Sequence, residues 1–393
     1  MKWLQVVIHT NITLILTLSL LIWGSPFVAK FIRIPIPPVE IMLGSIFAYI
    51  GLVGHNEYFD LIAEIGFLYL MFLAGMEVDL KQITKSPKVI IQKSILFLLL
   101  MVFFSIVSGL LFHLNIIIII SMPLISIGLL ASLSKTYGKE QSWIHLAFIA
   151  GILGEIISIA ALTIFDAATT TGFSIALIIK VGYLVLFIAS VYMLYRLLHL
   201  LFWWFPELKN TLVPKFDISD QDIRLSMALF FIMIAVMLSL ELELALGAFI
   251  AGIAISAFFH HEKKLEEKMS SLGFGFLVPL FFIHVGASLD LGSLLIEGVV
   301  LGALLITCLM IMSRVLAAIV LKHISGSRDA LLVALSLSMP LTLLVAVATI
   351  GYETKLLDIL SYYQLILASI FEILISMVII KTLQTQKRED QSS

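Results

Sequence analysis

Ser121-Met122-Pro123-Leu124 and Ser338-Met339-Pro340-Leu341 are one tetrapeptide written twice, each time inside a strongly apolar stretch. A proline within a helix removes a backbone hydrogen bond and tends to break the helix. Counting forward from Pro123 and from Pro340 by the same interval reaches a glutamate in the following apolar stretch, Glu155 in the first case and Glu372 in the second. One proline in a membrane helix is commonplace and needs no function. A matched pair followed by matched glutamates points to an internal repeat. A weaker echo agrees, since Leu73-Ala74-Gly75 leads to Asp79-Leu80 and His284-Val285-Gly286 leads to Asp290-Leu291.

Composition sets the medium in which the repeat sits. Of 393 residues, 61% are hydrophobic and 13% charged, with a mean hydropathy of +1.13, against roughly 25% charged residues in an ordinary soluble domain. A soluble protein is excluded. A bilayer-spanning helix takes about 20 mostly apolar residues, and the chain divides into approximately these spans: 5–24, 36–54, 58–80, 89–112, 115–134, 141–166, 172–203, 222–240, 243–259, 271–289, 293–321, 329–350 and 358–384. The expected fold is therefore all-α and polytopic, with about 13 transmembrane helices in one domain over residues 1–393. The first span follows Lys2, but its apolar run is long and no small-x-small cleavage site precedes Lys30, so it reads as a helix and not as a signal peptide. The lone Cys308 excludes an intrachain disulfide or a cysteine metal cluster. A net charge of -2 with dispersed basic residues argues against nucleic acid, and nothing in the sequence implies a cofactor.

Lysine and arginine collect in cytoplasmic loops. One alternate set of connections holds Lys30 and Arg33; Lys81, Lys85, Lys88 and Lys93; Lys135 and Lys139; Arg196, Lys209, Lys215 and Arg224; Lys263, Lys264 and Lys268; Lys322 and Arg328; and Lys381, Lys387 and Arg388. The other set has only Lys2 and Lys355 and is otherwise acidic, with Glu57, Asp60, Asp166, Glu241, Glu243, Asp290 and Glu297. The pattern places the chain in the inner (plasma) membrane as a multi-pass protein, N-terminus outside and C-terminus cytoplasmic. The two copies are offset by seven spans, and an odd offset turns one upside down relative to the other. Inverted repeats with proline-interrupted helices in corresponding positions mark the midplane substrate site of a secondary transporter.

An ionisable side chain near the bilayer centre costs at least ~2.5–3.5 kcal/mol and is a functional candidate by default. Three stand out: Glu155, Arg314 and Glu372. Glu155 lies in Gly151-Ile152-Leu153-Gly154-Glu155-Ile156-Ile157-Ser158, with Ser158 nearly one turn away on the same face. A carboxylate in this setting can hold a proton or a metal ion, and competition between the two is the minimal chemistry of exchange. The bland alternative is a protonated glutamate hydrogen-bonded within the bundle. Arg314 stays charged and needs an internal partner, which the sequence leaves open among Glu155, Glu372 and the carbonyl ends of broken helices. Glu372 is either a second site or the partner of Arg314. His284 reads as a packed polar residue without a neighbouring ligand, and Glu64 and Glu77 lie toward opposite ends of their helix. The series Ala248, Gly252 and Ser256 permits close packing, as a dimer face or as an internal contact.

Around these residues the chain resembles the monovalent cation:proton antiporter-2 family of sodium/proton and potassium/proton exchangers. The resemblance rests on Pro38-Val39-Glu40-Ile41-Met42-Leu43-Gly44, on Leu70-Met71-Phe72-Leu73-Ala74-Gly75-Met76-Glu77-Val78-Asp79-Leu80, on Leu246-Gly247-Ala248-Phe249-Ile250-Ala251-Gly252 and on Pro279-Leu280-Phe281-Phe282-Ile283-His284-Val285-Gly286. It implies a sodium/proton antiporter-like fold, with crossed, unwound helices around Pro123 and around Ser338 and Pro340. It further implies a polar break near Ser126, an acidic position at Glu155 and a basic one at Arg314. Together with the residue reading above, Glu155, Ser126 and Ser158 are the expected ion and proton ligands, and Arg314 and Glu372 the expected charge partners. Gly154-Glu155 departs from the family's usual pair of polar residues. One carboxylate in the motif implies one cation exchanged for one proton, electrically silent.

The expected function is thus antiport of a monovalent cation, Na+ or K+, for H+, by a homodimer among membrane lipids, with no metal beyond the transported ion. A sodium-coupled organic-solute symporter and a channel-like K+ efflux protein are the competing readings; the first needs a polar solute cavity and the second a carbonyl filter. The expected division is a scaffold over 5–80 and 222–289, a moving core over 89–166 and 293–384, and a linker helix over 172–203, with no C-terminal nucleotide-binding domain.

Overall fold

The computed structural model describes residues 2–32, 36–54, 56–77, 86–138, 140–171, 175–204, 220–242, 244–259, 263–288 and 291–392. Asp79, Leu80 and Asp290 of the echo, and Arg33, Lys81, Lys85, Lys139, Lys209, Lys215 and Glu243 of the loop charges, lie outside the described residues. Among the described residues the chain is helical without strands. The helices are α1 (Lys2–Ile32), α2 (Ile36–Tyr49), α3 (Glu57–Met76), α4 (Lys88–Leu111), α5 (Ile116–Ser121), α6 (Gly128–Tyr137), α7 (Ser142–Thr171), α8 (Ile175–Trp204), α9 (Gln221–Ser239), α10 (Leu244–Phe259), α11 (Lys263–Leu272), α12 (Val278–Ala287), α13 (Val299–Ala317), α14 (Lys322–Ser336), α15 (Leu341–Glu353) and α16 (Ile359–Ser392). Eight described helical runs are long and apolar enough to cross a bilayer, and Ile36–Tyr49, Leu244–Ala257 and Leu343–Glu353 are shorter apolar helices.

Several boundaries differ from the sequence reading for identifiable reasons. The expected fifth span is two short helices, α5 and α6, because Pro123 ends the first and residues 122–127 are not helical. The twelfth is likewise divided between α14 and α15 by residues 337–340. The tenth begins earlier than expected, since α11 runs through a π-helical turn at Gly273–Leu277 into α12. α11 carries Lys263, Lys264, Glu266, Glu267 and Lys268, a charge density that hid its continuity with the span behind it. The eleventh starts later, at Val299, after a short 3-10 turn at Leu291–Leu295.

The most extensive helix contacts fall into two sets. In one, α3 packs on α10 and α12, α2 on α12 and α1, and α9 on α10. In the other, α13 packs on α16 and α4, α7 on α4, α14 and α15, and α15 on α16 and α5. Between the sets the main contacts are α3 on α6 and α7 on α10, while α8 lies against α7.

Two crossings in the first set are built alike. A Cβ on Gly75 of α3 would run into the carbonyl of Phe249, and one on Gly252 of α10 into the carbonyl of Phe72. At the other crossing, Gly286 of α12 faces the carbonyl of Ile41, and Gly44 of α2 faces that of Ile283. Each of the four positions in one crossing maps onto one in the other by a constant shift along its helix. Close backbone approach of this kind is how helices associate where lipid supplies no hydrophobic drive between them. Gly252 is therefore an internal contact. At the second crossing Ser45 adds a polar tie, its hydroxyl donating to the Gly286 carbonyl at 2.9 Å.

Candidate functional site

The break between α5 and α6 is best understood by following its backbone groups, since buried amides and carbonyls must find partners. The Leu124 amide turns back to the Ser121 carbonyl at 3.2 Å. The Ile125 amide donates to Ser158 Oγ at 2.8 Å, and the Ile127 amide donates to Glu155 Oε2 at 2.6 Å. The Leu124 carbonyl accepts from Arg314 Nη2 at 2.7 Å. A segment that has left helical geometry is thus bonded to α7 and α13.

The receiving surface is one face of α7. Gly151, Gly154, Glu155 and Ser158 fall at i, i+3, i+4 and i+7, the spacing that lines up along a helix. Gly154 admits Ile125, whose Cδ1 would lie 2.7 Å from a Cβ at that position. Gly151 lies where the two breaks meet: a Cβ there would be 2.5 Å from Ile127 Cγ2 and 3.0 Å from Leu337 Cδ2. Glu155 and Ser158 supply the acceptors between and beyond.

Glu155 is fully buried. Its Oε2 is committed to the Ile127 amide, whereas Oε1 is buried without a hydrogen-bond partner. The buried Ser126 side chain lies close enough to interact with the carboxyl group, and its Oγ is 3.5 Å from the Gly128 amide. Glu155, Ser126, Ser158 and Pro123, singled out separately in the sequence, are brought together here.

The second glutamate is held differently. Glu372 Oε1 accepts from Arg314 Nη1 at 2.7 Å, with both side chains 0% exposed. Arg314 also donates to the Met310 carbonyl at 3.1 Å. Among the partners left open by the sequence, Arg314 therefore takes Glu372 and a carbonyl of the first break. Pro340 is the residue preceding α15. Ser338 Oγ turns back to the Ala334 carbonyl at 2.9 Å, and Ser336 Oγ to Val333 at 2.9 Å, so the hydroxyls of the second break serve their own helix.

Three features escaped side-chain reasoning. The site's closest donors are the backbone amides of Ile125 and Ile127; Pro123 is the signal, because breaking a helix frees amides. His284 is not alone: its Nε2 lies 2.8 Å from Asp60 Oδ1, a pairing invisible in sequence because Asp60 begins α3 while His284 nears the end of α12. Glu77, at the end of α3, accepts from Ser134 Oγ of α6 at 3.3 Å, a polar contact between the two helix sets.

An Enterococcus hirae Na(+)/H(+) antiporter is 26% identical over 354 residues, covering 87% of this chain and 89% of that one. YjbQ of Bacillus subtilis is 23% identical over an alignment of 414 positions that covers 98% of this chain, which spans 64% of that protein's length. In fold, the chain resembles the sodium proton antiporter MjNhaP1 from Methanocaldococcus jannaschii, with a TM-score of 0.66, 16% identity and 97% of each chain covered. With residues 15–385 matching the transmembrane region of sodium/hydrogen exchangers, the chain belongs to that family.

Proposed function

We propose that the protein is a secondary active antiporter exchanging a monovalent cation for protons by alternating access, with Glu155 as the site both share. The observation that carries the proposal is the asymmetry of the two carboxyl groups. Each keeps one buried oxygen without a hydrogen-bond partner, Oε1 of Glu155 and Oε2 of Glu372, but Glu372 is paired with the charge of Arg314, while Glu155 has only the Ile127 amide and the nearby Ser126 hydroxyl in a helix break. Oε1 is the atom to which a proton or a cation adds, with the Ile127 amide steadying Oε2. Broken helices around such a site supply backbone dipoles without side-chain charge. The relatives described as Na(+)/H(+) antiporters support the substrate class.

Protonated Glu155 and cation-bound Glu155 carry the same charge, and the Arg314–Glu372 pair is neutral as a unit. Exchange is then one cation for one proton and electrically silent. The moving unit in this proposal comprises α4–α7 and α13–α16, working against α1–α3 and α9–α12 and joined by α8. Its support is the packing of the helices into these sets and the near-copy relation of the two glycine crossings, as expected of repeats inverted in the membrane. A homodimer in the plasma membrane, N-terminus outside and C-terminus cytoplasmic, completes the proposal.

The test is purified protein in liposomes with an internal pH dye, adding sodium, potassium or lithium in turn. Apparent cation affinity falls as pH falls, because the two ligands compete, and saturating cation removes the dependence on pH. Glu155→Gln is folded and inactive, since a neutral side chain resembles its proton-loaded state. Glu372→Gln, assayed at a temperature where it stays folded, retains exchange. Normal exchange by Glu155→Gln would place the carrier elsewhere, and a rate that follows an imposed membrane potential would exclude electrical silence.

A further inference from the structure

We infer that Ser158 is a positioning residue that sets cation affinity by holding the Ile125 amide, and thereby the Ile127 amide, in register with Glu155. The inference rests on the proposed carrier role of Glu155 and adds a residue that acts through the backbone of the break.

The register between the break and α7 is fixed twice. Two acceptors three residues apart on α7, Glu155 Oε2 and Ser158 Oγ, meet two amides two residues apart, those of Ile127 and Ile125. Gly151 and Gly154, on the same face, let the Ile127 and Ile125 side chains lie against the helix. Of the two polar ties, the one at Glu155 Oε2 varies in strength during the proposed cycle, because the charge of that carboxyl group changes as a proton or cation comes and goes at Oε1. The tie at Ser158 is neutral throughout the cycle and can persist through it. Ser158 is 3% exposed, so no bulk water stands ready to replace its oxygen.

Its behaviour also separates it from the other hydroxyls nearby. Ser121, Ser336 and Ser338 donate to carbonyls three or four residues back in their own helices, the ordinary habit of serine in membrane helices. Ser158 accepts from a different element. Without its oxygen the Ile125 amide is a buried, unsatisfied donor, a state proteins avoid. The segment then re-seats to satisfy it, and Ile127 is carried out of line with Glu155.

The effect lies on binding rather than on the rate of the conformational change. Ser158→Ala raises the KM for sodium about tenfold, equivalent to about 1.4 kcal/mol, while the maximal rate stays within about twofold, the signature of lost binding. Ser158→Thr keeps the oxygen and restores the normal KM. Ser158→Cys keeps the volume but offers sulfur, a weak acceptor, and falls between.

The measurement is sodium-dependent proton release from liposomes holding each variant and, in parallel, Glu155→Gln, with thermal melting in detergent to establish folding. A KM order in which serine and threonine are lowest, cysteine intermediate and alanine highest supports the inference. A wild-type KM for Ser158→Ala overturns it. If the alanine variant does not fold, cysteine decides: a KM equal to that of serine also overturns it. Active Glu155→Gln removes the carrier reading itself, whereas inactive Glu155→Gln with unchanged Ser158→Ala removes only the inference about Ser158.

Discussion

Arg314 offers a quantitative test of what supports the site. Both Arg314 and Glu372 are 0% exposed and 2.7 Å apart, and Arg314 Nη2 donates to the Leu124 carbonyl of the break at 2.7 Å. Removing one partner of a buried ion pair costs about 3–5 kcal/mol, because the other charge is left uncompensated. Arg314→Ala also strips the Leu124 carbonyl of its donor, a loss of about 1–3 kcal/mol taken alone. Uptake of a proton by Glu372 neutralises the stranded carboxylate and limits the damage, so the combined cost is placed at about 3–5 kcal/mol. Glu372→Gln strands a guanidinium that cannot lose its proton, with a cost in the same range. The double variant Arg314→Met/Glu372→Leu replaces the pair by apolar groups, a change that is often neutral, and loses mainly the Leu124 tie. Its destabilisation should therefore fall well below the sum of the single variants. The assay is thermal melting in detergent, paired with transport at a temperature where every variant is folded. Additive losses in the double variant would refute the pairing argument. An unaltered melting temperature for Arg314→Ala with an altered ion preference would refute the supporting role and move Arg314 into the ion path.

Two further outcomes follow from the packing. In a Cys308→Ser background, the pair Glu77→Cys and Ser134→Cys, at positions whose side chains now touch across the helix sets, forms a disulfide that stops exchange and releases it on reduction; undiminished exchange by the fully cross-linked protein would count against relative motion of α3 and α6. Gly75→Val and Gly286→Val each place carbon against a backbone carbonyl and lower the melting temperature more than Gly24→Val, whose surroundings within 4 Å are empty; equal melting temperatures would refute the close-crossing argument.

How much of this could be read beforehand depended on whether a feature lay in side chains or in the backbone. Hydropathy found the helices, since burial in lipid demands a long apolar run. The prolines located both breaks, and the interval from Pro123 to Glu155 identified the helix on which the first break rests. The partner of Arg314 was not legible, because Glu155, Glu372 and a freed carbonyl satisfy a guanidinium equally well on paper; three-dimensional placement selected Glu372 and Leu124. The pairing of His284 with Asp60 was missed for a related reason, as a histidine without ligands nearby in sequence says nothing about the opposite end of another helix. The functional identity of Gly252 was likewise open: small residues allow an approach without naming the helix that makes it.

The likeness of the two glycine crossings and the pair of buried glutamates raise the question of why, in the proposed exchange, one glutamate would act as the carrier and the other would not. A buried carboxylate can be stabilised by a full opposite charge or by oriented dipoles, and the two choices have different consequences for exchange. At Glu372 the opposite charge is supplied by Arg314. A guanidinium repels any approaching cation and keeps its own charge at all working pH values, so the pair is stable but closed. At Glu155 the support is one amide and a nearby hydroxyl, which neutralise nothing. The Glu155 carboxylate therefore has no counter-charge beside it, and in the proposed exchange a proton or a metal ion supplies one, the two equal in charge while differing in size and coordination. Arg314 contributes to this difference from a distance: by binding the Leu124 carbonyl it fixes the far side of the break whose Ile125 and Ile127 amides face α7. A single guanidinium thus pairs with Glu372 and braces the break beside Glu155, and in the proposed exchange this leaves Glu155 as the one exchanging carboxylate.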